Sequence, residues 1–290
     1  MKVKERACGK VILFGEHTVV YSGYALAASI DLFAEVELRR SLSKKTYNSP
    51  IKDILERFSK DYGVKTDKLK INIKNEIPKG CGSGSAIACA LTKALHKYFN
   101  IELNDEKLID YVNFSDSITH GGKVSGIDAY AVVKGGFVYA EEGKFSQVDV
   151  NEPLELVVCD SGVKAQTKKQ IEKLEKYKQE NEELFRLSNA AITTFAVTTA
   201  EFLLSPLDKE TIGHFMYENH EILKDMGLSC KELDEIVEFA KERGELGAKL
   251  TGAGGGGAAI ILSENPKELV EELKKKGYKA FIVRLGISKV

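Results

Sequence analysis

One glycine-rich stretch, Ile77 to Ala90, constrains the fold of this chain more than any other. Residues 69–76 before it alternate apolar and polar side chains, which predicts a β-strand. Residues 85–98 after it are rich in Ala and Leu, which predicts a helix. Ser85 is the expected N-cap, because its hydroxyl can accept a hydrogen bond from a free amide of the first turn. Three glycines alternate with other residues in between: Gly80, Gly82 and Gly84.

This arrangement of strand, glycine loop and helix start predicts an anion site. Glycines lack a Cβ, so backbone amides can approach an anion closely, and the dipole of the following helix favours negative charge there. We therefore expect a ligand phosphate at this loop, although an ordinary tight turn is the alternative interpretation. The loop is not the standard P-loop, since no Gly-Lys-Ser/Thr closes it. It is not the dinucleotide fingerprint either, whose last glycine would fall at Ile87.

A second glycine cluster spans Lys249 to Ala258, with five glycines in ten residues. Such a run costs much conformational entropy to order, and a simple turn does not need it. A flexible linker is the alternative, but the apolar strand predicted directly after the run argues against one. We expect this cluster to lie at the phosphates of a nucleotide or substrate.

Two charged residues are candidates for chemistry. Asp128 precedes an apolar run, and a carboxylate so placed beside a cation can accept a proton from a substrate hydroxyl. Lys10 lies within the strand predicted from Val3 to Phe14, where its ammonium needs a partner such as Asp128 or a phosphate. A turn or N-cap role for the Asp and a strand-edge position for the Lys are the structural alternatives. Asp116 and Ser85 offer the oxygen ligands that Mg²⁺ favours.

Composition excludes several classes of protein. The net charge of −1 argues against nucleic acid or an anionic membrane as the main partner. Five scattered cysteines form neither a disulfide framework nor a Cys-x-x-Cys zinc site, and reduced thiols point to the cytoplasm. The charged first residues lack the apolar region of a signal peptide, and no stretch approaches the length of a transmembrane helix.

The length of 290 residues suits two domains or one large domain. The first half is predicted to be rich in strands, whereas the second half contains mainly helices with a few strands. The weakest division lies near residue 150, so we expect two domains, residues 1–150 and residues 151–290.

Taken together, these stretches resemble the GHMP kinase superfamily over nearly the whole chain. Gly9 to Tyr21 is similar to the first motif of that superfamily in its mevalonate kinase form, and Pro78 to Ala86 is similar to the second, the ATP-phosphate loop. Lys249 to Gly257 closely resembles the third motif. His120-Gly followed by Ser125-Gly-Ile-Asp128, and the segment Asn219 to Ser229, also resemble the mevalonate kinase branch.

The resemblance implies a fold and a reaction. The implied fold is α+β, with an N-terminal domain like ribosomal S5 domain 2, a ferredoxin-like C-terminal domain, and ATP and substrate between them. The implied enzyme is an ATP- and Mg²⁺-dependent kinase that phosphorylates the 5-hydroxyl of mevalonate in isoprenoid synthesis. Its partners are then small molecules, not nucleic acid or membrane, and a homodimer is left open.

The resemblance also implies roles for individual residues. Asp128 matches the general base, Lys10 matches the lysine that pairs with it, and Ser85 and Asp116 match magnesium ligands. The phosphate loop is assigned to Pro78, Lys79, Gly80, Cys81, Gly82, Ser83, Gly84, Ser85 and Ala86. The substrate site is assigned to Glu16, His17, Thr167, Gly252, Ala253 and Gly254.

The chain departs from the family pattern at several positions. The usual Gly-Leu-Gly-Ser-Ser-Ala reads Gly82 to Ile87 here, so that the second serine is Ala86, and Asp116 stands where the family has a glutamate. A sibling kinase (phosphomevalonate, mevalonate-3 or homoserine) and the related decarboxylase are therefore alternatives. A non-catalytic metabolite sensor is the alternative outside enzymes, and retention of both Lys10 and Asp128 speaks against it.

Overall fold

Two antiparallel sheets organise the protein, one in each half of the chain. The computed structural model describes residues 2–120, 122, 124–205 and 207–290, and only the backbone of Ser22 and His120. The strands are β1 (Lys2–Phe14), β2 (Ala25–Arg40), β3 (Leu69–Asn75), β4 (Phe137–Glu141), β5 (Lys144–Val148), β6 (Glu155–Asp160), β7 (Gly247–Thr251), β8 (Ala258–Leu262) and β9 (Lys279–Arg284). The helices are α1 (Val19–Ser22), α2 (Ile51–Tyr62), α3 (Ser83–Phe99), α4 (Asp105–His120), α5 (Ile127–Lys134), α6 (Thr167–Glu180), α7 (Glu182–Leu203), α8 (Lys209–Asp225), α9 (Lys231–Glu242) and α10 (Pro266–Lys275).

The first sheet has five strands and is built on the long strand β2. One end of β2 pairs with β4, the other end pairs with β3, and β1 runs antiparallel along most of its length. Residues 7–14 of β1 are all buried, so this strand reads as a continuous apolar run except for Cys8, Gly9 and Lys10. Helix α3 packs on β1 and β2, and the glycine loop before it lies beside Gly9 and Lys10 of β1.

The second sheet has four antiparallel strands in the order β7-β8-β6-β9. Strands β7 and β8 are buried at every position, and they flank the second glycine cluster. Helices α8 and α9 pack against β7, while α10 packs against β9 and β6. Both halves of the chain contain helices as well as strands, which confirms the predicted α+β class.

The two halves share a core. The largest cluster of buried apolar side chains includes Phe14 of β1, Ala196 of α7, Met216 of α8 and Ile260 of β8. After β9 the chain returns to the first sheet, where Leu285 bridges Ile30. The boundary expected at residue 150 therefore stays a prediction. None of the helices in the described part of the chain combines the length and the apolar character needed to cross a bilayer.

Candidate active site

A cavity of about 190 Å³ lies between the two halves of the chain. Its polar side is formed by β1, α4 and the start of α5, and its apolar side by α1 and α6. Its lining combines charged, hydroxyl and apolar groups from both halves: Lys10, Ile12, His17, Val19, Val20, Tyr21, Asp116, Val124, Ser125, Gly126, Asp128, Thr167, Ile171, Leu174, Glu175, Gly252 and Ala253. Most of the predicted catalytic and substrate residues therefore share one cavity.

The two predicted catalytic residues form an ion pair. Nζ of Lys10 lies 2.9 Å from Oδ1 of Asp128. The Lys10 side chain is almost fully buried, whereas the Asp128 side chain keeps about a quarter of its surface exposed toward the cavity. Asp128 lies in the first turn of α5, which begins after Gly126, and the amides of a helix start favour a carboxylate there. The arrangement gives the cavity a carboxylate held by a buried lysine side chain.

A second carboxylate lies beside this pair. Oγ of Ser85 lies 3.0 and 2.9 Å from the two carboxylate oxygens of Asp116, so that the hydroxyl can donate to either of them. Burial, helped by the negative charge of Asp128, raises the pKa of Asp116 to about 7, although the Ser85 hydrogen bond and the Lys10 charge oppose the shift. A cation is therefore the natural further partner for this carboxylate.

Helix α3 begins earlier than expected, within the predicted phosphate loop. Gly82, with a φ of 76°, is the N-cap, and the helix starts at Ser83. The prediction that Ser85 caps the helix is wrong, because its hydroxyl bonds Asp116 instead. A Cβ on Gly82 would lie only 2.7 Å from Cγ of Lys10, so glycine at this position lets the loop pass directly over this lysine.

The two glycine loops lie against each other. A Cβ on Gly80 would come within 3.1 Å of the amide nitrogen of Ala258, and one on Gly252 within 2.9 Å of the Gly80 carbonyl oxygen. The amide of Lys10 donates to the carbonyl of Cys81 at 2.9 Å, which fixes the first loop to β1. Burial raises the pKa of the Cys81 thiol to about 12, so this cysteine remains protonated at neutral pH.

The second cluster is an ordered segment, not a flexible linker. The amide of Gly255 donates to the carbonyl of Leu228 at 2.8 Å, and the amide of Gly257 donates to the carbonyl of Val163 at 2.9 Å. A Cβ on Gly254 would lie 2.0 Å from the Leu228 oxygen, so no larger residue fits. Gly252 and Ala253 line the cavity, whereas Gly254 does not.

The other predicted substrate residues occupy different positions. His17 and Thr167 line the cavity, and Nε2 of His17 donates to the Ala253 carbonyl at 2.8 Å. Glu16 lies behind the wall, where its fully buried carboxylate is paired with Lys249 of β7. Gly121, part of the expected His120-Gly motif, lies outside the described residues, as does the side chain of His120.

Sequence reasoning assigned no role to Lys249 or to Tyr21. The signal for Lys249 is a lysine inside an apolar strand, where a buried ammonium needs a partner. The Tyr21 hydroxyl donates to Oε1 of Glu175 at 2.6 Å, which joins α1 to α6 at the apolar end of the cavity. No sequence signal links Tyr21 to Glu175, because their pairing depends on how the two helices pack.

Family models match both halves of the chain. The model of the GHMP kinases N terminal domain matches residues 49–136, which include the first glycine loop and Asp128. The model of the GHMP kinases C terminal domain matches residues 201–279, which include the second glycine loop.

Individual relatives extend this similarity to nearly the full length. The mevalonate kinase of Pyrococcus furiosus is 34% identical over 308 aligned positions, covering 93% of this chain and 92% of that protein. The mevalonate kinase of Thermococcus sibiricus is 31% identical and covers 99% of this chain and 97% of its own length. The crystal structure of L. major mevalonate kinase in complex with R-mevalonate superposes with a TM-score of 0.82 and 25% identity, over 99% of this chain and 97% of that one. Because both family models and full-length relatives above 30% identity agree, this chain belongs to the GHMP kinases and, within them, to the mevalonate kinases.

Proposed function

We propose that this enzyme transfers the γ-phosphate of ATP to the 5-hydroxyl of mevalonate. The observation that carries this proposal is the Lys10–Asp128 ion pair on the wall of a cavity that also contains Gly252 and Ala253. Phosphoryl transfer depends mostly on positioning and charge neutralisation, and these residues supply both.

Asp128 acts as the general base. Its carboxylate accepts the proton of the acceptor hydroxyl, the hydroxyl oxygen bonds the γ-phosphorus, and the bond from that phosphorus to the bridging oxygen breaks to release ADP. The ammonium of Lys10 holds the Asp128 carboxylate in place, and it also stabilises negative charge on the attacking oxygen. Both groups must be close together for this, and the separation of 2.9 Å supports it.

The phosphates of ATP bind the amides of the first glycine loop, Pro78 to Ala86. The start of α3 contributes its dipole, and the absence of a side chain at Gly82 and Gly84 leaves the amides accessible. Gly252 lies against Gly80 of this loop, and we assign Gly252, Ala253 and Gly254 to the transferred phosphate and the acceptor.

Ser85 and Asp116 would hold Mg²⁺. The hydroxyl and the buried carboxylate are hard oxygen donors, and Mg²⁺ is typically held by one or two protein carboxylates together with substrate phosphates and water. When bound, the ion neutralises charge on the phosphates. Among the described residues, no group of three or more His, Cys, Asp or Glu side chains could hold a metal ion.

The cavity suits a small, branched acceptor. Val19, Val20, Ile171 and Leu174 form an apolar wall for the methyl and methylene groups of mevalonate. His17 and Thr167 offer polar groups for its hydroxyls and carboxylate, so we assign both residues to acceptor binding.

The remaining assignments belong to the same proposal. Five free cysteines support a reducing compartment, and we propose that the enzyme acts in the cytoplasm. We keep residues 1–150 and 151–290 as its two domains. A homodimer stays an open expectation that sedimentation can test.

A substrate screen tests the proposed acceptor. Purified protein with ATP and Mg²⁺ is offered mevalonate, phosphomevalonate, diphosphomevalonate, homoserine and galactose, with ADP and CO₂ both measured. We expect ADP release with mevalonate at least tenfold above every other alcohol and no CO₂. Faster turnover of another alcohol would reject the acceptor, and CO₂ release would identify a decarboxylase.

A further inference from the structure

The Glu16–Lys249 pair joins the two halves of the chain at the back of the cavity. Glu16 follows β1 and Lys249 lies in β7, and both side chains are fully buried. The ammonium of Lys249 contacts Oε1 of Glu16 and also donates to the carbonyl of Leu250 at 2.8 Å. Neither residue lines the cavity. Glu16 therefore does not contact an acceptor bound there.

This pair is accompanied by other contacts between the same two segments, residues 12–17 and 249–253. The Thr251 hydroxyl accepts from the Ile12 amide at 2.9 Å and donates to the Ile12 carbonyl at 3.0 Å. Nε2 of His17 donates to the Ala253 carbonyl at 2.8 Å. One of these segments continues from the strand that carries Lys10, and the other leads into the second glycine loop. These contacts thus tie the segment that carries the catalytic lysine to the segment that leads into that loop.

The pair is a poor choice if stability alone matters. Burial raises the pKa of Glu16 and lowers that of Lys249, and the charge of each partner opposes the shift in the other. Oε2 of Glu16 has no hydrogen-bond partner among the described residues, so the carboxylate is only partly satisfied. Apolar residues of similar size often stabilise a fold as well as or better than a buried ion pair. A functional reason for keeping the charges is therefore worth testing.

We propose that Glu16 and Lys249 are a positioning pair, which holds the second glycine loop in register with Lys10 and Asp128 for phosphoryl transfer. Productive transfer needs the phosphate and the acceptor oxygen at a fixed separation, and small misplacements reduce the rate strongly. Both substrates still bind when the pair is removed, because neither residue reaches the cavity. The loss therefore falls on kcat, not on KM for the acceptor.

The test uses three variants of the full chain: Glu16→Gln, Lys249→Met and the double variant. Each single variant leaves one buried charge unpaired, so we expect a lower melting temperature and a kcat reduced about tenfold or more. The double variant leaves no charge at either position, so its melting temperature should return close to that of the wild type. If the pair only stabilises the fold, kcat should recover together with the melting temperature. We expect kcat to stay about tenfold low and KM for mevalonate to change by less than about threefold.

The control is Asp31→Asn. Asp31 pairs with Arg284 at 3.1 Å and so also joins the two halves, but neither residue lines the cavity. The asparagine keeps an acceptor for the Arg284 amide, and we expect wild-type kcat. Full recovery of kcat in the double variant, or normal kcat in Glu16→Gln, would overturn the positioning role, as would a rise in KM for mevalonate alone.

This inference rests on the proposed kinase function. Assays of the wild-type enzyme distinguish a failure of that function from a failure of the positioning role. Absence of mevalonate turnover by the wild type rejects the proposed acceptor. The variants are then compared by amide hydrogen exchange of residues 250–257 without substrate. Exchange faster than in the wild type, in the double variant as well as the singles, supports the positioning pair, and unchanged exchange rejects it.

Discussion

Nζ of Lys10 lies 2.9 Å from Oδ1 of Asp128, although the lysine is nearly inaccessible to solvent and the aspartate faces the cavity. Strand β1 and the first turn of α5 hold the two groups, so their separation does not depend on a mobile loop. The burial of Lys10 matters because an ammonium in a low-dielectric site acts more strongly on its neighbours than one in water. In the proposed reaction the ammonium therefore orients the carboxylate and also stabilises the attacking oxygen.

Replacing Asp128, the proposed base, tests this relationship. Asp128→Asn keeps the size of the side chain but removes its proton acceptor, and we expect kcat to fall by about 10²–10⁴. The affinity for ATP, measured by calorimetry, should change by less than about threefold, because the substitution leaves the backbone amides of the proposed phosphate loop unchanged. A variant with near-normal kcat would show that Asp128 is not the base.

The proposed metal ligand is tested by Asp116→Asn. The amide is a weaker ligand than a carboxylate, so we expect the Mg²⁺ concentration for half-maximal activity to rise about fivefold or more. Asp110→Asn is the matched control, since Asp110 lies on the same helix but is exposed and pairs with Arg57. An unchanged Mg²⁺ requirement in Asp116→Asn would remove that residue from the metal site.

Gly84→Ala separates the fold from ATP binding. A Cβ on Gly84 meets no atom of the described chain within 4 Å, and alanine favours a helix over glycine by about 1 kcal/mol. We therefore expect an unchanged or higher melting temperature. If the phosphates bind this turn, the added methyl crowds them, and KM for ATP should rise about fivefold or more. Unchanged KM for ATP would place the nucleotide elsewhere.

His220 predicts a specific loss of stability in acid. Its Nδ1 accepts from the Leu250 amide and its Nε2 faces Asp234, each at 3.2 Å. Burial lowers the pKa of His220 to about 4, helped by the Lys249 charge and opposed by Asp234. The unfolded chain therefore binds a proton at His220 before the folded chain does. The contribution of His220 to the free energy of unfolding is fully present above about pH 6.5. It is lost as the pH falls toward 4, with a slope of up to about 1.4 kcal/mol per pH unit.

The measurement is urea unfolding of the wild type and two variants between pH 7 and pH 4. His220→Gln should show a shallower fall in unfolding free energy than the wild type. His214→Gln changes an exposed histidine on the same helix and should keep the full slope. Equal slopes in all three proteins would contradict the assignment to His220.

Local patterns predicted the elements that lie next to the site. Strand β3 follows from alternation and helix α3 follows from the Ala-rich run, since these signals depend on nearby residues. The apolar run after Asp128 does not by itself distinguish a strand from a helix, and the packing of α5 on β1 and β2 makes it a helix. The predicted Ser85 cap was wrong for a related reason: the hydroxyl is used by Asp116, which is distant in sequence.

Pairings between the two halves could not be predicted from the residues alone. Lys249 meets Glu16, and Tyr21 meets Glu175, only because the two sheets and their helices are packed around one cavity. The resemblance to the family identified Glu16 as a site residue, but only the structure shows that it lies behind the cavity wall. Burial, which decides whether a charged residue contacts substrate or positions a residue that does, is a property of the whole fold.

The most direct test of the central claim is the identity of the product formed from R-mevalonate. The enzyme is incubated with ATP, Mg²⁺ and R-mevalonate, and the product is examined by phosphorus–proton correlation NMR. We predict a phosphate coupled to the protons of carbon 5, formed by the wild type and not by Asp128→Asn. A phosphate on the 3-hydroxyl, or product formed equally by both proteins, would contradict the account.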